Sequence, residues 1–342
     1  MYFYILISII LFPILRRIRN YFRGPTYEGK KEVAKKTVIV TGSSAGLGMY
    51  TAFDLLDNGA TVIFACRDEK KTLKLINSIW NSEKRSRAIF MKLDLSEIES
   101  VFEFVKQFKS KYKQLAILVN NAGFFPDTYT LTKDGIESSL QSNHLGHMAL
   151  THLLMDSFGK RDARIINVSS RGHKRSDYTV EGVKKLQSNL EFKVEENINS
   201  SRGMIIYGNS KLANVFFTQY LAEIFEKKKV NIKTASLHPG VVNTEFGRFV
   251  STWGWKWQLL YYVIYPLLWF GTKNSLDGAQ TSLSLCYMDF ALFENGQYYA
   301  DNQRTETYSI AKNEELRNEF IKYSWMLLDK ITNGKNTIPR YN

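Results

Sequence analysis

Cysteine is almost absent: Cys66 and Cys286 are the whole complement of a 342-residue chain. Two thiols cannot build a disulfide framework or a zinc cluster, which fits a reducing compartment or one indifferent to redox state. Histidine is also scarce, with five residues. His144 and His147 have no cysteine or acid cluster nearby, so they read as structural and no metal is expected. Internal repeats and low-complexity linkers are missing, and one domain is the simplest parse. What is plentiful is apolar: 44% of residues are hydrophobic, enough to bury a sizeable core and to exclude wholesale disorder.

Acidic residues are the minority charge, leaving a formal net charge of +13. Such a balance fits nucleic acid or an anionic membrane surface. No zinc finger, basic zipper or RNA-binding signature accompanies it, and the lysines and arginines are spread along the chain. Nucleic acid is therefore not expected as a partner; a basic surface lying near anionic lipid is.

The longest charge-free stretch at the start, residues 1–15, runs directly into Arg16, Arg17, Arg19 and Arg23. A cleavable signal peptide carries its charge before the apolar run, not after it. Charge on the C-terminal flank keeps that flank, and the rest of the chain, on the cytosolic side. Residues 1–22 are thus expected to be a membrane anchor. Fifteen helical residues reach roughly 22 Å, short of the ~30 Å hydrocarbon core, so a tight span and a monotopic or interfacial anchor both remain open. A buried helix is the plain alternative.

From residue 36 onward, short apolar runs alternate with amphipathic segments. Strands are expected at 36–41, 61–65, 88–93, 115–119, 163–168 and 230–237, with a weaker one near Tyr298. Helices are expected at 45–58, after the second strand through Trp80, and at 97–111, 135–158 and 205–225. Continuous apolar strands between helices indicate an α/β fold: a doubly wound parallel sheet covered on both faces, in a single domain spanning 36–332. Two segments break the rhythm. Residues 171–203 are charged and weakly periodic, and read as a surface insertion. Residues 250–272 hold a run rich in Trp and Tyr, which reads as an apolar lid or membrane-associated segment, with a core helix as the alternative.

The first strand runs into Thr41, Gly42, Ser43, Ser44, Ala45, Gly46, Leu47 and Gly48, then a helix. Glycines let the backbone turn tightly against a pyrophosphate, and the helix N-terminus behind them favours an anion. A plain glycine turn is the bland reading of this pattern alone. The second strand ends Ala65, Cys66, Arg67, Asp68. An acid there usually binds a ribose 2′-hydroxyl, whereas an arginine fork suits a 2′-phosphate. Arg67 is accordingly read as a phosphate ligand, implying NADP(H), with a solvated arginine as the alternative. Asp68 is open between helix cap and ribose contact.

These features, with Asp94-Leu95, Asn120-Asn121-Ala122-Gly123, the Asn143-to-His147 run, Ser169-Ser170, Tyr207 four residues before Lys211, and Pro239-Gly240, stand in one order. In that order the chain resembles the short-chain dehydrogenase/reductase family over about residues 36–301. The segments around Arg67, Asn143, Ser210-to-Asn214, His238-to-Thr244, Gly278-to-Thr281 and Gly296-to-Tyr299 resemble the retinol dehydrogenase branch. The resemblance implies a Rossmann-type fold, an N-terminal anchor and a preference for NADP(H). It implies that Gly42, Ser44, Gly46, Leu47, Gly48, Arg67, Asp94, Leu95, Asn121, Ala122 and Gly123 bind the cofactor. Asp94 would meet the adenine amino group, Asn121 the adenosine side, and Pro239, Gly240 and Thr244 the nicotinamide. Ser170 and Tyr207 are 37 positions apart, further than is usual in the family; the surplus falls in the 171–203 insertion.

Tyr207 and Lys211 lie one helical turn apart and face the same way. An ammonium beside a phenol lowers its pKa from ~10 towards neutrality, as general acid/base work requires. Tyr207 is expected to exchange the proton and Ser170 to hydrogen-bond the reacting oxygen. By resemblance, Lys211 also holds the nicotinamide ribose and Asn143 supports a proton relay. The chain is thus expected to interconvert a lipophilic alcohol and its aldehyde or ketone, of the retinol and retinal kind. A steroid or other lipid carbonyl reductase is the alternative within that chemistry, and a non-catalytic nucleotide-binding scaffold the alternative outside it. Membrane lipid is an expected partner and a homodimer a candidate assembly; anchor type and family imply the endoplasmic reticulum, with the lipid droplet as the alternative.

Overall fold

The computed structural model describes residues 13–14, 16–159, 162–196, 198–242, 270–334 and 337–341. Most of the anchor segment, most of the 250–272 segment and Thr244 lie outside them. Seven parallel strands make the body of one sheet in the order β3-β2-β1-β4-β5-β6-β7, with β8 antiparallel at the edge. They are β1 (Thr37–Thr41), β2 (Thr61–Cys66), β3 (Ala88–Lys92), β4 (Ile117–Asn120), β5 (Ala163–Val168), β6 (Ile232–His238), β7 (Tyr298–Ala300) and β8 (Gln303–Arg304).

The central strands are buried at nearly every position because both faces are covered. On one face pack α1 (Gly46–Asp57), α2 (Glu69–Asn77) and α8 (Ser275–Tyr287), through Leu55, Ile76 and Leu283. On the other pack α4 (Ile98–Lys111), α5 (Gly146–Leu153), α7 (Ser200–Lys228) and α9 (Glu314–Thr332), through Phe104, Leu150, Phe216 and Phe320. The short α3 (Ser82–Ser86) precedes β3. This is a Rossmann-like sheet. The chain runs from β1 outward through β2 to β3 and then crosses back to β4 on the other side of β1, so a crevice opens at the carboxyl ends of β1 and β4, where open α/β sheets take ligands.

Four elements differ from expectation. The helix expected over 135–158 is broken: a turn at Ser138–Leu140 passes into a π-helical segment, Gln141–Leu145, before α5 begins. The 171–203 segment contains α6 (Val180–Ser188), which lies on the surface against α9. There Lys184 pairs with Glu315 at 2.8 Å and Gln187 reaches the Glu319 carbonyl at 3.0 Å. Helices α8 and α9 have no counterpart in the sequence expectation.

Residues 16–23 are helical and dock on the start of α8. Arg19 donates to the carbonyls of Phe270 and Thr272, and Arg23 holds the Asp277 carboxylate with two nitrogens. Ile14, Ile18, Tyr21 and Phe22 of the same segment remain exposed. Among the described residues, no helix is long and apolar enough to cross a membrane.

Candidate active site

The crevice is floored by the β1–α1 turn. Gly42 and Gly46 hold φ of +65° and +57°, where a side chain is disfavoured. A Cβ on Gly42 would stand 2.9 Å from the Cα of Ala122, and one on Gly48 would strike the Asn121 amide and the Gly42 carbonyl. The turn therefore lies directly against the strand end of β4, and a cradle of backbone is left bare for a pyrophosphate. Thr41 locks the two strand ends together: its Oγ1 accepts the backbone N–H groups of Asn121 and Ala122, both at 2.9 Å. The Asn121 side chain donates to the Thr41 carbonyl at 2.8 Å. Leu47 packs under Gly278 of α8, whose Cβ would stand 2.5 Å from it.

At the ends of β2 and β3, Arg67 is exposed, with its Nε 3.9 Å from Asp94. Asp94 is fixed in turn by the backbone N–H and hydroxyl of Ser96. Asp68 accepts the Lys71 backbone N–H at 2.9 Å and caps α2. Of the two readings open at Asp68, the cap is the one seen in the fold. Asp68→Ala is expected to cost about 1 kcal/mol of stability, the usual worth of an N-cap. Cofactor preference should not move; a changed NADPH/NADH ratio in steady-state kinetics would assign Asp68 to the ribose instead.

The second half of the crevice is built on α7. Its Tyr207 and Lys211 are both buried, with the Lys211 ammonium 5.5 Å from the Tyr207 ring centre. Lys211 also donates to the Val168 carbonyl at 3.0 Å, which pins the ammonium at the end of β5. Phe125 covers the tyrosine ring at 5.4 Å. Ser169 points away, donating to the Lys211 carbonyl. Ser170 is the serine that faces the crevice side: a Cβ on Gly172 would lie 3.3 Å from its Oγ and 3.2 Å from the Tyr207 ring. The Gly172 N–H donates to Ser170 Oγ at 3.0 Å, a bond that does not use the hydroxyl's own proton.

Asn143 sits in the π-helical segment, fully buried. Its amide clasps the Phe124 backbone with two 3.0 Å bonds and donates to Ser210 Oγ at 3.0 Å. Gly123 lies between it and the lysine: a Cβ there would stand 3.1 Å from both Asn143 Oδ1 and Lys211 Nζ. A side chain there would crowd that pair, which would have to give by a few tenths of an ångström. Leu95 backs the segment from below, against Gly146. Across the crevice, Pro239 and Gly240 follow β6; Gly240 turns at φ +90° over the stem of Lys273, which pairs with Asp301. Tyr207, Lys211, Ser170 and Asn143 thus lie together around Gly123 and Gly172, and Gly42, Gly48, Asn121 and Ala122 lie together at the ends of β1 and β4; Thr244 lies outside the described residues.

Sequence reasoning did not single out Thr41, His173 or Lys273. His173 is buried, its ring donating through Nδ1 to the Ser170 carbonyl at 2.7 Å. Burial lowers the His147 and His144 rings to about 4 and about 3, so both are neutral. The signals available were local: a threonine closing β1, and histidines one turn from Asn143 and Ser170.

The short chain dehydrogenase family model matches residues 36–180. Human retinol dehydrogenase 12 is 34% identical over 319 residues, 93% of this chain and 94% of that one. Mouse retinol dehydrogenase 11 is 34% identical over 307 residues, covering 88% and 89%. Among solved structures, an uncharacterized protein from Mycobacterium paratuberculosis matches with TM-score 0.67 and 25% identity, over 93% of this chain and all of that one. Family, sheet and crevice agree on a nicotinamide dinucleotide as cofactor. The chain belongs to the short-chain dehydrogenase family and is a retinol dehydrogenase-like oxidoreductase acting on CH–OH donors.

Proposed function

We propose that this chain interconverts a lipophilic alcohol and its aldehyde or ketone, of the retinol and retinal kind, using NADP(H). The observation that carries the reading is the convergence of Tyr207, Lys211, Ser170 and Asn143 around Gly123 and Gly172, beside the glycine turn. The bound nicotinamide supplies or accepts the hydride, and the protein supplies placement and charge. Tyr207 gives its phenolic proton to the substrate oxygen in reduction and recovers one in oxidation. Lys211, held by the Val168 carbonyl, keeps a positive charge at the phenol and favours its ionised form. Ser170 donates to the same oxygen and steadies the negative charge that builds there. Asn143 ties the loop after β4 at Phe124 to α7 at Ser210.

NADP(H) is preferred in this reading because Arg67 and Asp94 stand side by side where a 2′-phosphate and an adenine would neighbour each other. A charge-assisted fork on phosphate is worth roughly 1.5–3 kcal/mol, or about 10- to 100-fold. Arg67→Asp is expected to invert the preference by that order, read as the ratio of kcat/KM with NADPH to that with NADH. An unchanged ratio would assign Arg67 to the solvated surface.

Membrane association is part of the reading. Arg19 and Arg23 are turned to the protein body while Ile14, Ile18, Tyr21 and Phe22 of the same helical stretch face outward, continuous with an uncharged run. That face suits a lipid surface on the cytosolic side, where a lipophilic substrate is delivered. Incubation of the full chain with NADPH and retinal, a long-chain aldehyde or a ketosteroid tests the substrate class. Turnover of at least one is expected; none would count against the reading, and a preference for the steroid would favour the carbonyl reductase alternative.

A further inference from the structure

We propose that His147 is a positioning residue that ties the Asn143 end of the active site to the cofactor turn; this rests on the oxidoreductase reading above. The ring is buried between the two. Its Nδ1 lies 3.1 Å from the Asn143 carbonyl oxygen, and its Nε2 lies 2.9 Å from Thr41 Oγ1.

The partners fix every proton. A carbonyl oxygen only accepts, so Nδ1 carries the hydrogen. Thr41 Oγ1 already accepts the backbone N–H groups of Asn121 and Ala122, which occupy both its lone pairs. Its own proton therefore goes to Nε2, at 2.9 Å, in preference to the Val119 carbonyl at 3.4 Å. One tautomer satisfies the whole chain of bonds, from Asn143 through the ring and Thr41 to the Asn121-Ala122 backbone.

The π-helical segment explains why a side chain is wanted there. Within it the Gly146 N–H reaches back five residues to the Gln141 carbonyl instead of four, which shifts the carbonyl partners along this stretch. The imidazole supplies a donor to the carbonyl of the residue that holds Phe124 and Ser210. At its other end the ring reaches the threonine that closes β1 immediately before Gly42. A tilt of the ring would move both halves of the site. The charged and titratable groups acting on it are Lys211 on α7 and His144 on its own helical stretch.

Two replacements split the two bonds. In His147→Asn the amide nitrogen stands near the Nδ1 position and keeps the Asn143 donor while the Thr41 contact is lost. In His147→Gln the amide oxygen reaches the Nε2 position and keeps Thr41 while the Asn143 donor is lost. The Asn variant is expected to hold kcat within about threefold and to weaken NADP(H) binding about tenfold, one buried hydrogen bond's worth. The Gln variant is expected to hold the NADP(H) Kd within about threefold, to lower kcat about tenfold, and to shift the limb of the kcat–pH profile that reports the acid/base group by about one unit.

Equal losses of both parameters in the two folded variants, or no loss in either, would overturn the proposal. If neither variant folds, the ring nitrogens of His147 are read by 15N NMR in the wild-type chain, with Nδ1 protonated and Nε2 bare expected and the opposite tautomer as the contrary result. Cofactor binding needs no substrate. A wild-type chain without turnover would therefore count against the catalytic reading alone, and the split in Kd would still decide the role of His147.

Discussion

Tyr207→Phe is expected to lower kcat by about 10³, within the 10²- to 10⁴-fold range of a positioned acid/base group, or roughly 4 kcal/mol of barrier. The substitution removes one oxygen and leaves the ring. Phe125 at 5.4 Å and the Lys211 ammonium at 5.5 Å pack against that ring, and the Ser210 hydroxyl donates to the backbone carbonyl of residue 207, which the substitution keeps. Fold and cofactor binding should therefore survive, with the NADP(H) Kd within about threefold and the melting temperature within a few degrees. The loss should fall on kcat with saturating substrate and cofactor. Full biological activity in this variant would favour a nucleotide-binding scaffold over an enzyme.

Acid should unfold this protein well before its carboxylates are all protonated. All five histidines of the chain are buried, and burial pushes each below its ordinary range: His144 to about 3, and His147, His152 and His238 to about 4, with His173 shifted the same way. In the unfolded chain they protonate near ~6.5. Between that value and about 4, the unfolded state binds more protons than the folded one. Stability therefore rises with pH across this window and falls as pH drops through it. Each such group contributes about 1.4 kcal/mol per pH unit, so several together remove a large share of a typical 5–15 kcal/mol within one or two units. Glu137, whose carboxyl burial pushes up, works in the opposite sense, but as one group against five. Urea unfolding at pH 7, 6 and 5 should show the midpoint falling steeply below pH 6.5. A flat profile from 7 to 5 would mean that these rings gain compensating partners when charged.

Much of this was legible in the sequence, for reasons that differ by element. Strands β1 and β2 are buried along almost their whole length, and the apolar run in each needs no partner to be recognised. The glycine turn was legible because its spacing answers a steric demand, seen in the 2.9 Å approach of Gly42 to Ala122. Helix α8 was not legible. Every residue from Asp277 to Tyr287 is buried, so the polar and apolar faces that reveal a helix have no contrast. Helix α9 did carry a signal: Asn313 caps it before Glu314 and Glu315, and Leu316, Phe320, Leu327 and Leu328 keep helical spacing on its inner side. The break at Gln141–Leu145 had none, since a π-segment depends on what its carbonyls meet across the fold. His147 illustrates the same limit. Its isolation from cysteines and acids spoke against a metal, while its two hydrogen bonds became visible only with Thr41 and Asn143 in place.

The most direct test follows the hydride itself. NADPH deuterated at the transferred position of the nicotinamide would be incubated with retinal and the full chain, and the product alcohol examined by mass spectrometry. One deuterium at the carbinol carbon is expected with wild-type protein, and only a trace of product with Tyr207→Phe over the same time. Alcohol formed without label, or formed equally by the two proteins, would contradict hydride transfer at a site where Tyr207 supplies the proton.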